Sequence, residues 1–175
     1  MTSSTLDGRR AHTTVDSPVG PLTLVAAGGA LAGLYMNEQQ HRPADGTFGE
    51  PGADQDGELF AEVSRQLKQY FDGERAGFDL RLTLEGTPFQ RRVWAALQDI
   101  PYGQTVSYGQ LAGRIGQPSA SRAVGLANGK NPVSIIVPCH RVVGADGSLT
   151  GYGGGIERKQ YLLAHEHRVS GQTLL

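Results

Sequence analysis

The chain has 175 residues, 38% hydrophobic and 19% charged, with a formal net charge of −1. That is enough apolar material for a packed core and too little charge for a disordered chain. No apolar run approaches the length of about 18 residues that a membrane-spanning helix needs, and Met1–Arg10 lacks the apolar centre of a secretory signal, so a soluble, cytoplasmic protein with a frayed N-terminal tail is expected.

In chain order, the first expected elements are strands. His12–Asp16, Leu22–Ala26 and Leu31–Met36 are short, partly β-branched, and separated by Pro18-Val19-Gly20-Pro21 and Gly28-Gly29, the punctuation of a small antiparallel meander. Residues 37–57 are rich in Pro, Gly, Asp and Gln and poor in apolar side chains, which predicts a long mobile loop. From Glu58 to Asp72, Leu59, Phe60, Val63, Leu67, Tyr70 and Phe71 recur at helical spacing, and Gly73 ends the run. Phe78, Leu80, Leu82 and Leu84 then alternate with polar residues, the period of a strand with one buried face. Nothing in residues 1–85 has a catalytic pattern, so a structural domain ending near Gly86 is expected.

The second half reads as helical. Thr87-Pro88 is a cap followed by a first-turn proline, and Phe89, Val93, Trp94, Leu97 and Ile100 fall mostly on one face. That placement makes Trp94 a core residue rather than a base-stacking platform. Ser107 can cap a short helix reaching Ile115; Gly116-Gln117-Pro118 makes a turn; and Ser119–Asn128 can form a second helix. Two short helices joined this way have the helix-turn-helix pattern. The second is built largely of small residues, which allow close approach to a groove but offer few groups that read bases. Charge agrees: residues 1–85 hold 7 Lys/Arg against 13 Asp/Glu, whereas residues 86–175 hold 9 against 4. A basic half suits a nucleic-acid surface, where phosphate contact dominates affinity.

One cysteine, Cys139, excludes an internal disulfide and a multi-cysteine zinc site. A lone thiol is usually a small apolar filler, but here Pro138 fixes the backbone before it, and His140 and Arg141 follow. A thiol becomes a good nucleophile as thiolate, which a nearby base or positive field promotes. Consecutive side chains do not face one another on a helix, so in a helical turn His140 would reach the sulfur through water. Glu166, on a predicted final helix, is a candidate to orient the imidazole. His165 and His167 flank it at a spacing that points them apart, and both are expected at the surface.

Pro138-Cys139-His140-Arg141-Val142 resembles the acceptor motif of the O6-alkylguanine-DNA alkyltransferases (methylated-DNA–protein-cysteine methyltransferases). The resemblance covers most of residues 86–175, through Pro101-Tyr102-Gly103 with Ser107-Tyr108, Arg122-Ala123-Val124-Gly125, Asn131-Pro132 and Gly151-Tyr152. Residues 1–85 match only in the segment from Ser17 to Leu22 and in element order. The resemblance implies an α/β fold, with a small N-terminal antiparallel-sheet-plus-helix domain (1–85) followed by a mainly helical domain (86–175) with a DNA-binding helix-turn-helix. It implies single-turnover transfer of an alkyl group from O6-alkylguanine in duplex DNA to Cys139, after the base flips out of the stack; whether O4-alkylthymine is accepted stays open. His140 and Glu166 would relay the thiol proton through water, Tyr108 would donate to the departing base, and Asn131 would tie the recognition helix to the cysteine segment. Arg122 would fill the gap left by the flipped base, with Ser107, Ala123 and Gly125 also on the DNA side. Pro138, Val142, Tyr152 and Gly153 would border the substrate.

No cofactor is implied. Zinc-binding relatives use N-terminal cysteines, which this chain lacks, so no metal is expected. A monomer is expected, with cooperative assembly on DNA left open. Three rivals are weaker. A lesion sensor of the alkyltransferase-like kind lacks the acceptor cysteine, a thiol hydrolase needs a base facing the sulfur directly, and a helix-turn-helix regulator needs a dimer to read paired half-sites.

Overall fold

The computed structural model describes residues 10–39, 42–51, 56–149, 152 and 154–173. Strands β1 (Arg10–Val15), β2 (Leu22–Ala27) and β3 (Ala30–Met36) form the antiparallel meander expected from their breaks. Gly28 and Gly29 both take positive φ, 59° and 79°, as a tight two-residue hairpin turn requires. Every residue of β2 and β3 is buried, so both faces of the sheet are covered.

The described residues between 37 and 57 hold more secondary structure than their composition predicts. They include a 3-10 turn at Asp45–Phe48 and β4 (Glu50–Pro51), which pairs with β1 in parallel and makes the sheet order β3-β2-β1-β4. The anchor is Phe48, 3% exposed and stacked on Tyr35 at 5.5 Å. One aromatic in a polar stretch has no periodicity to reveal it.

Helix α1 (Gly57–Phe71) turns Phe60, Val63, Gln66, Leu67 and Tyr70 inward. Buried Gln66 makes two backbone hydrogen bonds to Asp79, at 3.0 and 2.9 Å, which holds the following run against the helix. The expected strand over Phe78–Leu84 does not form. Its side chains are half-buried at alternate positions, but its only bridge is Leu82 with Leu31. The edge of β3 is shared, which explains why. Leu31 bonds Arg81 and Thr83, whereas Leu34 bonds Pro132 and Ser134, at 2.8 and 3.3 Å. The cysteine-bearing half therefore docks directly on the N-terminal sheet.

Helix α2 (Pro88–Leu97) begins with a reciprocal capping box between Thr87 and Gln90. We expect Thr87→Ala to cost about 1 kcal/mol, read as a fall of about 2–4 °C in the thermal midpoint. Trp94 is 2% exposed and its indole N–H donates to the Ala127 carbonyl at 2.8 Å, the core role expected. After β5 (Val106–Ser107), a second capping box, Ser107 with Gln110, opens α3 (Tyr108–Arg114). Gly116, at φ 78°, turns the chain toward α4 (Ser121–Gly129), completing the helix-turn-helix. Strand β6 (Val142–Val143) pairs in parallel with β5, and α5 (Ile156–Thr173) closes the fold. One apolar core runs through both halves, from Leu34 and Tyr70 to Trp94, Val124, Cys139 and Leu162. Among the described residues, no helix is long and apolar enough to cross a membrane.

Candidate active site

The backbone carrying Cys139 is shaped by two tight turns. The Ile136 N–H bonds the Ser134 carbonyl at 2.8 Å around Ile135, which has φ 72°, a sparsely populated conformation for a β-branched residue. The Cys139 N–H bonds the Val137 carbonyl at 2.8 Å around Pro138 (φ −81°, ψ 64°), an inverse γ-turn. Cys139, His140 and Arg141 then form one 3-10 turn, so the helical-turn case considered from sequence applies.

Asn131 follows α4 and fastens this segment. Its amide donates to the Val137 carbonyl at 2.8 Å and its side-chain oxygen accepts from Val133 N–H at 3.0 Å. Asn128, not singled out from sequence, donates from α4 to the Cys139 carbonyl at 3.3 Å. The β5–β6 pairing joins Val106 to Val142 and Ser107 to Val143, which sets the start of α3 against the strand that follows the cysteine turn. Two-residue strands are too short to show a period, so this link was not legible.

Cys139 is 4% exposed. Burial pushes its thiol pKa up, while hydrogen bonds from Asn131 and Ser134 and the Lys159 charge pull the other way without prevailing. The resting thiol is therefore protonated, and a base must take its proton. His140 is fully buried with Nε2 2.7 Å from Glu166 Oε2. A carboxylate only accepts, so Nε2 carries the proton and Nδ1 the lone pair. That Nδ1 is buried and has no hydrogen-bond partner among the described residues. Burial pushes the imidazole pKa down, opposed by Glu166, which leaves it neutral and able to accept.

Burial works against the Glu166 carboxylate, but the hydrogen bonds and charges of His140 and Arg141 outweigh it and hold its pKa far below the usual range. Arg141 reaches both oxygens, Nε to Oε1 at 2.8 Å and Nη2 to Oε2 at 3.0 Å, and its Nη1 donates to the Ile100 carbonyl at 2.7 Å. Arg141 thus neutralises Glu166, where the sequence suggested a field acting on the thiol. The cation nearer that role is Lys159 on α5, which is fully buried. It donates to the Val142 carbonyl at 2.5 Å, and burial lowers its pKa to about 8 against the pull of Cys139. A lysine on a helix otherwise looks like a solvated residue, so sequence gave no sign of it.

His165 is a second correction. It is 2% exposed and its Nε2 lies 2.8 Å from the Tyr70 carbonyl. With Leu162 and Glu166 it makes the inward stripe of α5, three and four residues apart; His167 is exposed, as expected.

On the helix-turn-helix, Arg122 and Ala123 are exposed in the first turn of α4. Tyr108 and Ser107 are half-buried. Gly125 faces the Tyr108 ring, where an added Cβ would lie 3.6 Å from Cδ1. Pro138 and Val142 are buried in the acceptor segment. Tyr152 is 5% exposed, its hydroxyl has no partner among the described residues, and it borders a cleft of about 460 Å³ that also includes Glu38, Gly154 and Arg158. Gly151 and Gly153 lie outside the described residues.

A buried thiol next in the chain to a buried His–Glu pair, on a segment bonded to the second helix of a helix-turn-helix, defines a protein with a candidate cysteine nucleophile beside a nucleic-acid-binding motif. Comparison with known proteins agrees. Residues 88–168 match the family model described as 6-O-methylguanine DNA methyltransferase, DNA binding domain, and residues 11–84 that of its ribonuclease-like domain. A methylated-DNA–protein-cysteine methyltransferase of Mycolicibacterium paratuberculosis is 53% identical over 163 residues, covering 93% of this chain and 96% of the relative. One from Methanosarcina acetivorans is 49% identical over 156 residues, covering 86% and 94%. A crystal structure of Mycobacterium tuberculosis OGT in complex with DNA superposes with a TM-score of 0.82 at 54% identity, covering 91% of this chain and 94% of that one. The chain belongs to the 6-O-methylguanine DNA methyltransferase family.

Proposed function

We propose that this protein repairs DNA by direct reversal, moving the alkyl group of O6-alkylguanine to Cys139 in a single turnover. The observation that carries this reading is the buried, hydrogen-bonded pair of His140 and Glu166 that shares a turn with the buried Cys139. The thiol proton passes through an intervening water to His140 Nδ1, and Glu166 stabilises the imidazolium, as the sulfur attacks the alkyl carbon. The S–C bond forms, the C–O6 bond breaks, and its electron pair stays on guanine. Tyr108 donates a proton to the departing base and recovers one from solvent, which lowers the cost of charge building on the leaving group. Tyr152, Pro138 and Val142 border the flipped base, and Asn131 keeps the acceptor segment in register with α4.

The exposed first turn of α4 supplies the DNA contact. Arg122 fills the gap in the stack, with Ala123, Gly125 and Ser107 against the backbone. The division of labour follows residues 1–85 and 86–175, the second half holding both the DNA surface and the thiol. Because flipping costs a few kcal/mol of unstacking, Arg122→Ala is expected to slow repair of duplex substrate by about tenfold or more and to leave transfer from free O6-methylguanine base unchanged. Equal losses on both substrates would remove the gap-filling role.

The direct test is mass spectrometry of the protein after incubation with a duplex carrying O6-methylguanine. One methyl on the Cys139 peptide per lesion repaired supports the reading. Lesion binding by unmodified protein would favour a sensor that does no repair.

A further inference from the structure

Tyr70 belongs to the N-terminal half, in which the sequence offers no site residue, yet its hydroxyl bonds the relay's carboxylate. The residue is fully buried, and its O–H donates to Glu166 Oε2 at 2.6 Å. The same oxygen accepts from His140 Nε2 at 2.7 Å and from Arg141 Nη2 at 3.0 Å. The phenol ring is held by Phe71 at 5.1 Å, His165 at 5.2 Å, Phe78 at 5.5 Å and Tyr102 at 6.2 Å between centroids, and this wall aims the hydroxyl at the carboxylate.

We propose that Tyr70 is a positioning residue of the proton relay, fixing Glu166 so that His140 keeps its Nε2 proton and presents Nδ1 toward the thiol as a neutral base. The argument is one of competition for negative charge. A hydrogen bond from Tyr70 draws electron density from Oε2, which weakens that oxygen's pull on the His140 Nε2–H and disfavours the imidazolium. Without the hydroxyl, Oε2 faces fewer donors, and more of its charge is available to stabilise protonated His140. The other groups facing the pair remain in place: Arg141 on the acceptor turn, Lys159 and His165 on α5, and Tyr102 after α2. Arg141 and Lys159 favour neutral His140, so the tyrosine adjusts a balance rather than creating it. Docking of α1 thereby becomes part of the chemistry, since the hydroxyl reaches Oε2 only when the N-terminal half is seated.

This inference rests on the alkyl-transfer reading, and the test separates the two. Single-turnover transfer from free O6-methylguanine base is followed across pH for wild type, for Tyr70→Phe, and for protein with 3-fluorotyrosine placed at position 70 alone. The phenylalanine keeps the ring packing and removes one oxygen; the fluorinated phenol keeps the shape and donates more strongly. The acid limb of the rate profile should move up by about half a unit to one unit in Tyr70→Phe and move down with fluorotyrosine. The His140 imidazole resonances should titrate with the same two signs. Superimposable profiles, or a uniform slowing without displacement of the acid limb, would assign Tyr70 to packing alone and overturn the inference. Absence of transfer in wild type would instead overturn the proposed function.

Discussion

Cys139→Ala is expected to abolish alkyl transfer entirely while leaving affinity for a lesion-containing duplex within about twofold of wild type. The sulfur is the only thiol in the chain, so no second acceptor can rescue the variant. The surfaces proposed to meet DNA, Arg122 and Ala123 on α4, lie on the exposed side of that helix, whereas Cys139 contacts α4 from the buried side through Asn128. Alanine removes one buried atom without adding a polar group, so the core has little cause to rearrange. Mass spectrometry and equilibrium binding on the same preparation read both quantities. A variant that loses binding together with transfer would show that the cysteine organises the DNA-facing helix as well.

Glu166→Ala is expected to have the largest effect on stability. Its carboxylate is 1% exposed and receives donors from Tyr70, His140 and Arg141. Removing it strands the Arg141 guanidinium in the core, and breaking a buried pair from one side costs about 3–5 kcal/mol. That corresponds to a drop of roughly 10 °C in the thermal midpoint. Transfer by the protein that remains folded should slow by about a hundredfold, the lower end of what a positioned acid–base group contributes. Stability should also depend on pH with a definite sign. His140 and Glu166 both have folded pKa values below their ordinary values of 6.5 and 4.5. The unfolded chain therefore takes up protons first as pH falls. Their contributions are present in full above those ordinary values; the His140 part is lost as pH drops below about 6.5, and the Glu166 part below about 4.5. Denaturant midpoints that stay level from pH 7.5 to pH 4 would contradict the depressed values.

Legibility in the sequence followed chain separation. The meander, α1, and the three helices from Thr87 to Asn128 announce themselves through local signals: paired glycines, helical spacing, capping residues. The nucleophile, its neighbouring base and Glu166 were readable because a short motif and a resemblance carried them. What escaped depends on contacts distant in sequence. The 78–84 run alternates like a strand, but the edge it needed is divided with residues 132–134. Tyr70 and Lys159 look like a core aromatic and a surface cation until the fold brings them to Glu166 and Val142. The spacing of His165 from His167 points to the surface, whereas its spacing from Leu162 and Glu166 sets it on the buried face of α5.

The constrained backbone at Ile135 and Pro138 has a consequence for how such a protein can be built. An enzyme that cycles must release product and reset, and a nucleophile locked in a buried, tightly turned segment would slow both steps. A molecule that reacts once has neither demand. Ile135 can hold a conformation unusual for its type, and Cys139 can remain almost wholly buried, because a segment that reacts once has no product to release. Rigidity that would be a liability in a recycling catalyst becomes, in a consumable one, the means by which the attacking atom is aimed before its target arrives.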